Sequence, residues 1–345
     1  VKPPNLDLVT SCIKKIKYGR SKYNSWHTLA SFLLQTQLKF EMKKNTKTIS
    51  LLTGILLLPV LLSAQIMDSK SIVAPGAKVE KLGDGYKFTE GPVADKNGNV
   101  FFTDQPNNKI IRWDAKTGEF STFADNAGRS NGMYFDKKGN LVTCADEENQ
   151  VWSFDKKGKA TVLVKNYGNK LLNGPNDLWI DPKGGMYLTD PLYKRDYWKR
   201  DPAMQQDGEH VYYLLPDRKT LIRVDDTFEK PNGIIGTKDG KRLFVADIGA
   251  DKTYVFDIEA DGTLKNKKLF VSKGSDGMIL DEEGNLYVTG NGVTVFDKNG
   301  EQIAHFPVHK GWTANVCFGG KDNDLLFITA QTAVYGLKMR VKGVK

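Results

Sequence analysis

From residue 77 onward the chain repeats one short pattern of apolar and polar positions. A polar residue leads a brief apolar segment into a turn rich in Asp, Lys, Gly and Asn. A second, more apolar run follows and most often ends in Thr-Asp or Ala-Asp. A third run and another polar turn complete the unit. The leaders are Glu90-Gly-Pro, Asn131-Gly-Met, Asn176-Asp-Leu, Asn232-Gly-Ile, Asp276-Gly-Met and Asn315-Val-Cys, and eight positions after each stands Gly98, Gly139, Gly184, Gly240, Gly284 or Asn323. Successive leaders are 41, 45, 56, 44 and 39 residues apart. The runs Val100-Phe-Phe, Met186-Tyr-Leu, Leu243-Phe-Val, Leu286-Tyr-Val and Leu325-Leu-Phe-Ile are short, β-branched or aromatic, and bounded by Gly and Asp, so they read as strands. Several strands recurring every ~40–50 residues are the mark of a β-propeller blade. The pattern therefore predicts an all-β, six-bladed β-propeller over residues 77–345. The last copy lacks an outer strand after Val334-Tyr-Gly-Leu, and Ala77–Leu82 is expected to supply it. Such pairing of an N-terminal strand with the last blade closes the ring and hides the sheet edges.

The stretch before the repeat has a different pattern. Met42-Lys-Lys-Asn-Thr-Lys opens a basic segment, the 14-residue apolar run Ile49–Leu62 follows, and Ser63-Ala64-Gln65 forms a small-residue junction. That order predicts a signal peptide over 42–64, shorter than the ~20 residues a membrane span requires. Residues 1–41 are then expected to be a mis-called upstream extension, and 65–76 a linker. The expected mature protein begins near Gln65, is exported to the periplasm or secreted, and keeps no stable membrane anchor.

Charge changes the picture only once the chain is divided. The whole chain has a formal charge of +9, but residues 1–64 hold ten basic and two acidic side chains, leaving 40 and 39 for the rest. A near-neutral body excludes a polybasic nucleic-acid binder. Cys12, Cys144 and Cys317 are too few and too scattered for a disulfide scaffold or a thiolate zinc site. Cys144 and Cys317 read as small buried thiols.

In a propeller the innermost strands line a central channel, so the six leaders are expected to converge at one mouth. They are two carboxylates and four amides, all oxygen donors. That set suits one hard divalent cation, Ca²⁺ above Zn²⁺, Mg²⁺ or Mn²⁺, or else a ring of ordered water. The 176-to-232 interval is long because of an insertion after Asp190, Pro-Leu-Tyr193-Lys-Arg195-Asp-Tyr197-Trp198 and beyond. Loops of this kind serve as lids or binding segments, here for a polar, anionic substrate. Gly128-Arg-Ser-Asn-Gly132 fits the letters Gly-x-Ser-x-Gly, but no helical pattern follows it as a nucleophile elbow requires, so a serine hydrolase has no support. His309, beside Lys310 and Trp312 in the loop entering copy six, is a candidate for the pocket mouth or for plain solvent exposure.

Several ordered motifs, Glu90-Gly-Pro92, Asn173-Gly-Pro-Asn-Asp177, Thr189-Asp-Pro191, Pro231-Asn-Gly233, Ser275-Asp-Gly277 and Asn315-Val-Cys-Phe-Gly-Gly320, resemble the senescence marker protein/gluconolactonase/regucalcin family of six-bladed calcium-dependent lactonases. The resemblance spans about residues 77–345. It implies metal ligands at Glu90, Asn232 and Asp276, with Asn176 beside the metal and substrate. Some members carry an arginine two positions before that asparagine; Gly174 stands there in this chain. The implied activity is hydrolysis of a sugar lactone such as gluconolactone by a monomer. A metal polarises the carbonyl, and Asp276, or alternatively Glu90, activates water. Asn131, Asn176, Asn315, Tyr193 and Trp198 are the expected substrate contacts. A related metal-dependent esterase or phosphotriesterase, and a non-catalytic sugar- or peptide-binding propeller, are the competing readings.

Overall fold

The computed structural model describes residues 66–309 and 311–344. The expected upstream extension and signal peptide lie outside the described residues. Among those residues the chain is almost wholly antiparallel strand, with two single 3-10 turns at Gln105–Asn107 and Asp146–Glu148.

Four of the six sequence copies each form a four-stranded sheet with strands in chain order. The first holds Thr89–Ala94, Val100–Asp104, Lys109–Trp113 and Phe120–Asp125, and the second Met133–Phe135, Leu141–Ala145, Gln150–Phe154 and Ala160–Val164. The third holds Leu178–Ile180, Met186–Asp190, His210–Leu214 and Leu221–Asp225, and the fourth Pro231–Gly236, Arg242–Asp247, Lys252–Ile258 and Leu264–Val271. The last two copies depart from the expected six separate blades, because they merge into one eight-stranded sheet. In the fifth copy the second and third strands are one continuous run, Leu286–Phe296, with Gly290 at φ 138° and Gly292 at φ 72° in its middle. Its two halves pair with Met278–Leu280 and Gln302–Phe306. Between them Gly290 and Asn291 pair with Thr313 and Trp312 of the sixth copy's Trp312–Gly319, which welds the copies together.

The outer strand missing from the last copy is supplied as expected: Glu80–Asp84 pairs antiparallel with Ala333–Lys338. Residues 66–76 are not a free linker. Met67 and Asp68 pair with His305 and Ala304, the Asp68 carboxylate accepts the Ile72 and Val73 amides at 2.9 Å each, and Ile72 is buried against the sixth copy. An apolar side chain with a pocket to fill holds the segment down.

The shared turn has a local cause. Asp95, Asp136, Asp181 and Asp281 each accept amides two and four residues ahead; for Asp136 these are Lys138 and Asn140, both at 2.9 Å. The fourth turn position is left-handed in every copy, at Gly98, Gly139, Gly184, Gly240, Gly284 and Asn323. Asparagine tolerates that region better than other side-chain residues, which is why it replaces glycine in the sixth copy.

Neighbouring sheets touch most closely beside the leaders. A Cβ on Gly91 would lie 2.1 Å from the Asn131 carbonyl oxygen, and one on Gly132 would lie 2.2 Å from Asp177 Oδ1 and 2.7 Å from the Asn176 oxygen. Second-strand threonines tie the same seams: Thr189 Oγ1 donates to the Asn232 carbonyl at 2.8 Å, and Thr289 Oγ1 to the Ala314 carbonyl at 2.7 Å. Thr89 Oγ1, donating to the Ala333 carbonyl at 3.0 Å, ties the first sheet to the last. Farther out, aromatic side chains fill the space between sheets. Trp179, Tyr187 and Tyr213 stack with centroid spacings of 5.9 and 4.3 Å, while the two tyrosine hydroxyls donate to the Gly262 carbonyl and to Asp181.

The axial contact makes a graded prediction. Gly132→Ala places a methyl group into backbone and is expected to cost about 1–3 kcal/mol, the range for forcing extra volume into a packed site. Gly233→Ala, whose Cβ would meet the Asp276 carbonyl oxygen at 2.9 Å, is expected to cost less. Urea denaturation midpoints check the order; equal midpoints for wild type and Gly132→Ala would contradict the contact.

Candidate metal and substrate site

The leaders converge as the repeat predicts. Glu90, Asn131, Asn176, Asn232 and Asn315 are buried, and Asp276 is half-buried. Consecutive leaders are neighbours across the glycine seams, Gly91 against Asn131, Gly132 against Asn176, Gly233 against Asp276 and Gly277 against the Asn315 amide. Asn232 Nδ2 donates to Asp276 Oδ1 at 2.9 Å and to the Tyr193 hydroxyl at 2.8 Å. The other Asp276 oxygen accepts the Trp312 indole N–H at 2.5 Å. Asn232 Oδ1 is left buried with no hydrogen-bond partner.

The electrostatics follow from three carboxylates in a dry place. Burial, and then the Asp276 charge, push the Glu90 carboxyl well above its ordinary value, against the Gly91 amide that its Oε2 accepts at 2.9 Å. Burial also raises Asp276, opposed first by the Trp312 and Asn232 hydrogen bonds and then by the Arg195 charge. Asp177, absent from the predicted set, is pushed up to about 7 by burial against hydrogen bonds from the Leu178 amide and the Asn315 side chain. Its signal in the sequence was available: four copies carry glycine after the leader, whereas the third carries a carboxylate.

Among the described residues there is no group of three or more imidazole, thiolate and carboxylate ligands. The oxygen set here is instead two carboxylates with an orphaned amide oxygen between neighbours. Burying a polar atom without a partner costs about 1–3 kcal/mol, so Asn232 Oδ1 asks for a cation. Asn176 also presents a buried side chain beside the seam, and the donor set as a whole fits a hard divalent ion.

The insertion spans 191–209 without helix or strand. Asn173 clamps its base: the Nδ2 donates to the Asp190 and Gly208 carbonyls at 3.1 and 2.8 Å, and the Oδ1 accepts the Gln205 and Gln206 amides at 3.3 and 3.2 Å. Asp104, Asp190 and Asp247, at the ends of second strands, each accept two amides from the loop entering their own inner strand. Asp146, in the same place in the second sheet, does not. It accepts from Gln105 Nε2 at 3.0 Å and faces Arg195 and Arg200 of the insertion, each at 3.8 Å. Burial pushes Asp146 up to about 7 despite these arginines. Arg200 donates to the Asn173 carbonyl at 2.6 Å and lies 3.5 Å from the Trp198 ring centroid. Trp198 therefore sits under Arg200 beside Asp146, while Tyr193 reaches the leaders. Gly174 has no room for a side chain, because a Cβ would lie 2.4 Å from Asp146 Oδ1 and 2.9 Å from Arg200 Nη2. His309 is exposed, and both Cys144 and Cys317 are buried free thiols. A cavity of about 660 Å³ lies at the turn end between the first two sheets, lined by Phe101, Phe123 and Phe135 and by none of the leaders.

Residues 88–332 match the family described as the SMP-30/Gluconolactonase/LRE-like region. The chain belongs to this family. A gluconolactonase of Zymomonas mobilis is 26% identical over 302 residues, covering 79% of this chain and 84% of that protein. The diisopropyl-fluorophosphatase of Loligo vulgaris is 28% identical over 251 residues, covering 64% and 79%. Among solved structures, a gluconolactonase from Xanthomonas campestris superposes with a TM-score of 0.73 at 26% identity, covering 80% of this chain and 97% of that one. A family match of that extent puts the predicted all-β propeller-like architecture and the observed sheets in agreement.

Two expectations arise from the insertion. Asn173→Ala leaves two amides and two carbonyls of buried backbone without partners, and should expose 191–209 to limited proteolysis at least severalfold faster while the strands stay folded. For Asp146 the folded carboxyl lies above its unfolded value, so its protonated form favours folding. That contribution is full below the unfolded value of about 4 and is lost as pH rises through about 7. Urea unfolding from pH 4 to 8 should therefore show wild type losing ground to Asp146→Asn as pH rises. A pH-independent difference would contradict the burial of this carboxyl.

Proposed function

We propose that this protein is an exported, divalent-metal-dependent lactonase, with Ca²⁺ as the metal, acting as a monomer on a sugar lactone such as gluconolactone. We read its eight-stranded sheet as the fifth and sixth blades of a closed six-bladed ring. The observation that carries the metal reading is the buried, unpartnered Asn232 Oδ1 beside Asp276. Glu90, Asn232 and Asp276 would hold the cation, with Asn176 next to it. Bound there, a divalent ion supplies Lewis acidity to a lactone carbonyl and charge to offset the oxyanion.

The chain's own groups do the rest. Asp276 is the base that takes a proton from the attacking water, since burial raises its carboxyl above the ordinary value while Trp312 fixes one oxygen. Glu90, raised further, is the alternative base and otherwise a ligand. The Asn131, Asn176 and Asn315 amides offer hydrogen bonds to ring and hydroxyl oxygens, and Tyr193 closes the pocket from the insertion. The likeness to a diisopropyl-fluorophosphatase supports a second reading, hydrolysis of a phosphotriester on the same oxygens.

Turnover of a lactone panel and of a phosphotriester, with and without chelator, decides between the two. Calorimetric titration with Ca²⁺ should show one site in wild type and a greatly weakened one in Asp276→Ala, which should also lose turnover. Asn232→Ala should weaken binding more mildly. A cation that binds only the folded state should stabilise it by about 2.7 kcal/mol at a hundredfold excess over its dissociation constant. Equal cation affinity in wild type and Asp276→Ala, or none in either, would refute the site and favour a non-catalytic sugar- or peptide-binding propeller.

A further inference from the structure

The insertion brings two arginines to one carboxylate. Arg195 and Arg200 both face Asp146 at 3.8 Å, while the neighbouring Glu147 is matched by Arg129 at 2.8 Å. Asp146 is therefore met by two guanidinium groups where one would balance it. The two arginines are used differently. Arg200 is a fastener: it donates to the Asn173 carbonyl, stacks on Trp198 and has only 11% of its side chain exposed. Arg195 makes no hydrogen bond among the described residues, and its Nε is buried without a partner. Its guanidinium stands 4.8 Å from the centroid of the Tyr193 ring, whose hydroxyl reaches Asn232. Its charge opposes the rise of both the Glu90 and Asp276 carboxyls, so it lies within electrostatic reach of the axial oxygens.

A guanidinium has five donors in a planar fork suited to a carboxylate. Arg195 keeps 25% of its side chain exposed, so a ligand can reach a guanidinium whose buried Nε has no hydrogen-bond partner. We propose that Arg195 is the specificity-determining residue of this site, binding a free carboxylate set away from the reacting carbonyl, so that the preferred substrates are lactones of sugar diacids rather than neutral sugar lactones. The inference rests on the lactonase reading for the reacting end and on Arg195 alone for the other end. A divalent cation between Glu90 and Asp276 offsets the repulsion those carboxylates would otherwise exert on such a substrate.

The test compares neutral glucono-1,5-lactone with carboxylate-bearing glucaro-1,4-lactone, at fixed free Ca²⁺, for wild type, Arg195→Gln and Arg195→Lys. Wild type should favour the charged lactone in kcat/KM. Arg195→Gln should lose about 10- to 100-fold on it relative to the neutral lactone, the worth of a charge-assisted hydrogen bond, mainly through KM. Arg195→Lys should recover part of the loss, which a merely structural role would not predict. Calorimetry with glucarate, the open-chain diacid, reads the same contact without turnover. If wild type turns over no lactone but binds glucarate in an Arg195-dependent way, the lactonase reading fails and the carboxylate site stands. A wild-type preference for the neutral lactone, an unchanged ratio between the two lactones in Arg195→Gln, or equal glucarate affinity in all three proteins would overturn the proposal.

Discussion

The structure depends on how closely its inner strands approach one another at the axis. Gly91, Gly132 and Gly277 approach the next copy too closely for a Cβ without displacement, and Gly233 comes so near that a Cβ there would lie 2.9 Å from the Asp276 carbonyl oxygen. That contact does two things together. It seats each sheet against the next, with the threonine hydroxyls of the second strands donating to inner-strand carbonyls across the same seams. It also draws the leaders together, because Glu90, Asn131, Asn232 and Asp276 each directly precede their glycine. Packing and chemistry are thus produced by adjacent residues, and losing the glycine would move the oxygen donors as well as loosen the core.

The insertion follows from an exception to the repeat. At the end of the second strand an aspartate usually accepts two amides from its own copy's entering loop, as Asp104, Asp190 and Asp247 do. In the second sheet Asp146 is released from that duty and turned towards the arginines of the third sheet's long loop. The loop carries its own clamp in Asn173, which has every polar atom of its side-chain amide engaged. A segment with no regular hydrogen-bonding pattern is thereby fixed over the leaders by one displaced carboxylate and one buried amide.

Much of this was legible in the sequence because it is local. The turn, the leader eight positions earlier and the apolar second strand recur within a few residues of one another, so six copies, a closing strand (expected at Ala77–Leu82, observed at Glu80–Asp84) and the gathering of the leaders could be read from spacing. What escaped is contact between distant segments. The pairing of Gly290 and Asn291 with Trp312 and Thr313 depends on a strand that never breaks, and its glycines read equally well as a turn. The docking of Ile72 and the burial of Arg200 against Asp146 and Asn173 involve ordinary residues whose partners lie far along the chain. Asp177 was visible as a break in the glycine pattern, but only its burial shows that the break adds a third carboxylate.

Those three carboxylates explain why the site and the stability of the fold are coupled. Glu90, Asp177 and Asp276 all have their carboxyls raised in the folded chain, with burial as the largest cause in each. A raised carboxyl favours folding while it is protonated and ceases to do so as pH climbs from the unfolded value through the folded one. As pH rises the axis therefore gains charge that burial opposes, and the positive charge that favours its ionisation, on Arg195, also faces Asp146. Protons or a divalent cation can relieve the same strain. In the proposed enzyme they compete for Glu90 and Asp276, so the pocket that holds the cation most tightly is also the one that costs the empty fold most. The unpartnered Asn232 oxygen adds to that cost in the same direction. Inner strands that meet through glycine contacts hold Glu90, Asn232 and Asp276 together despite that cost.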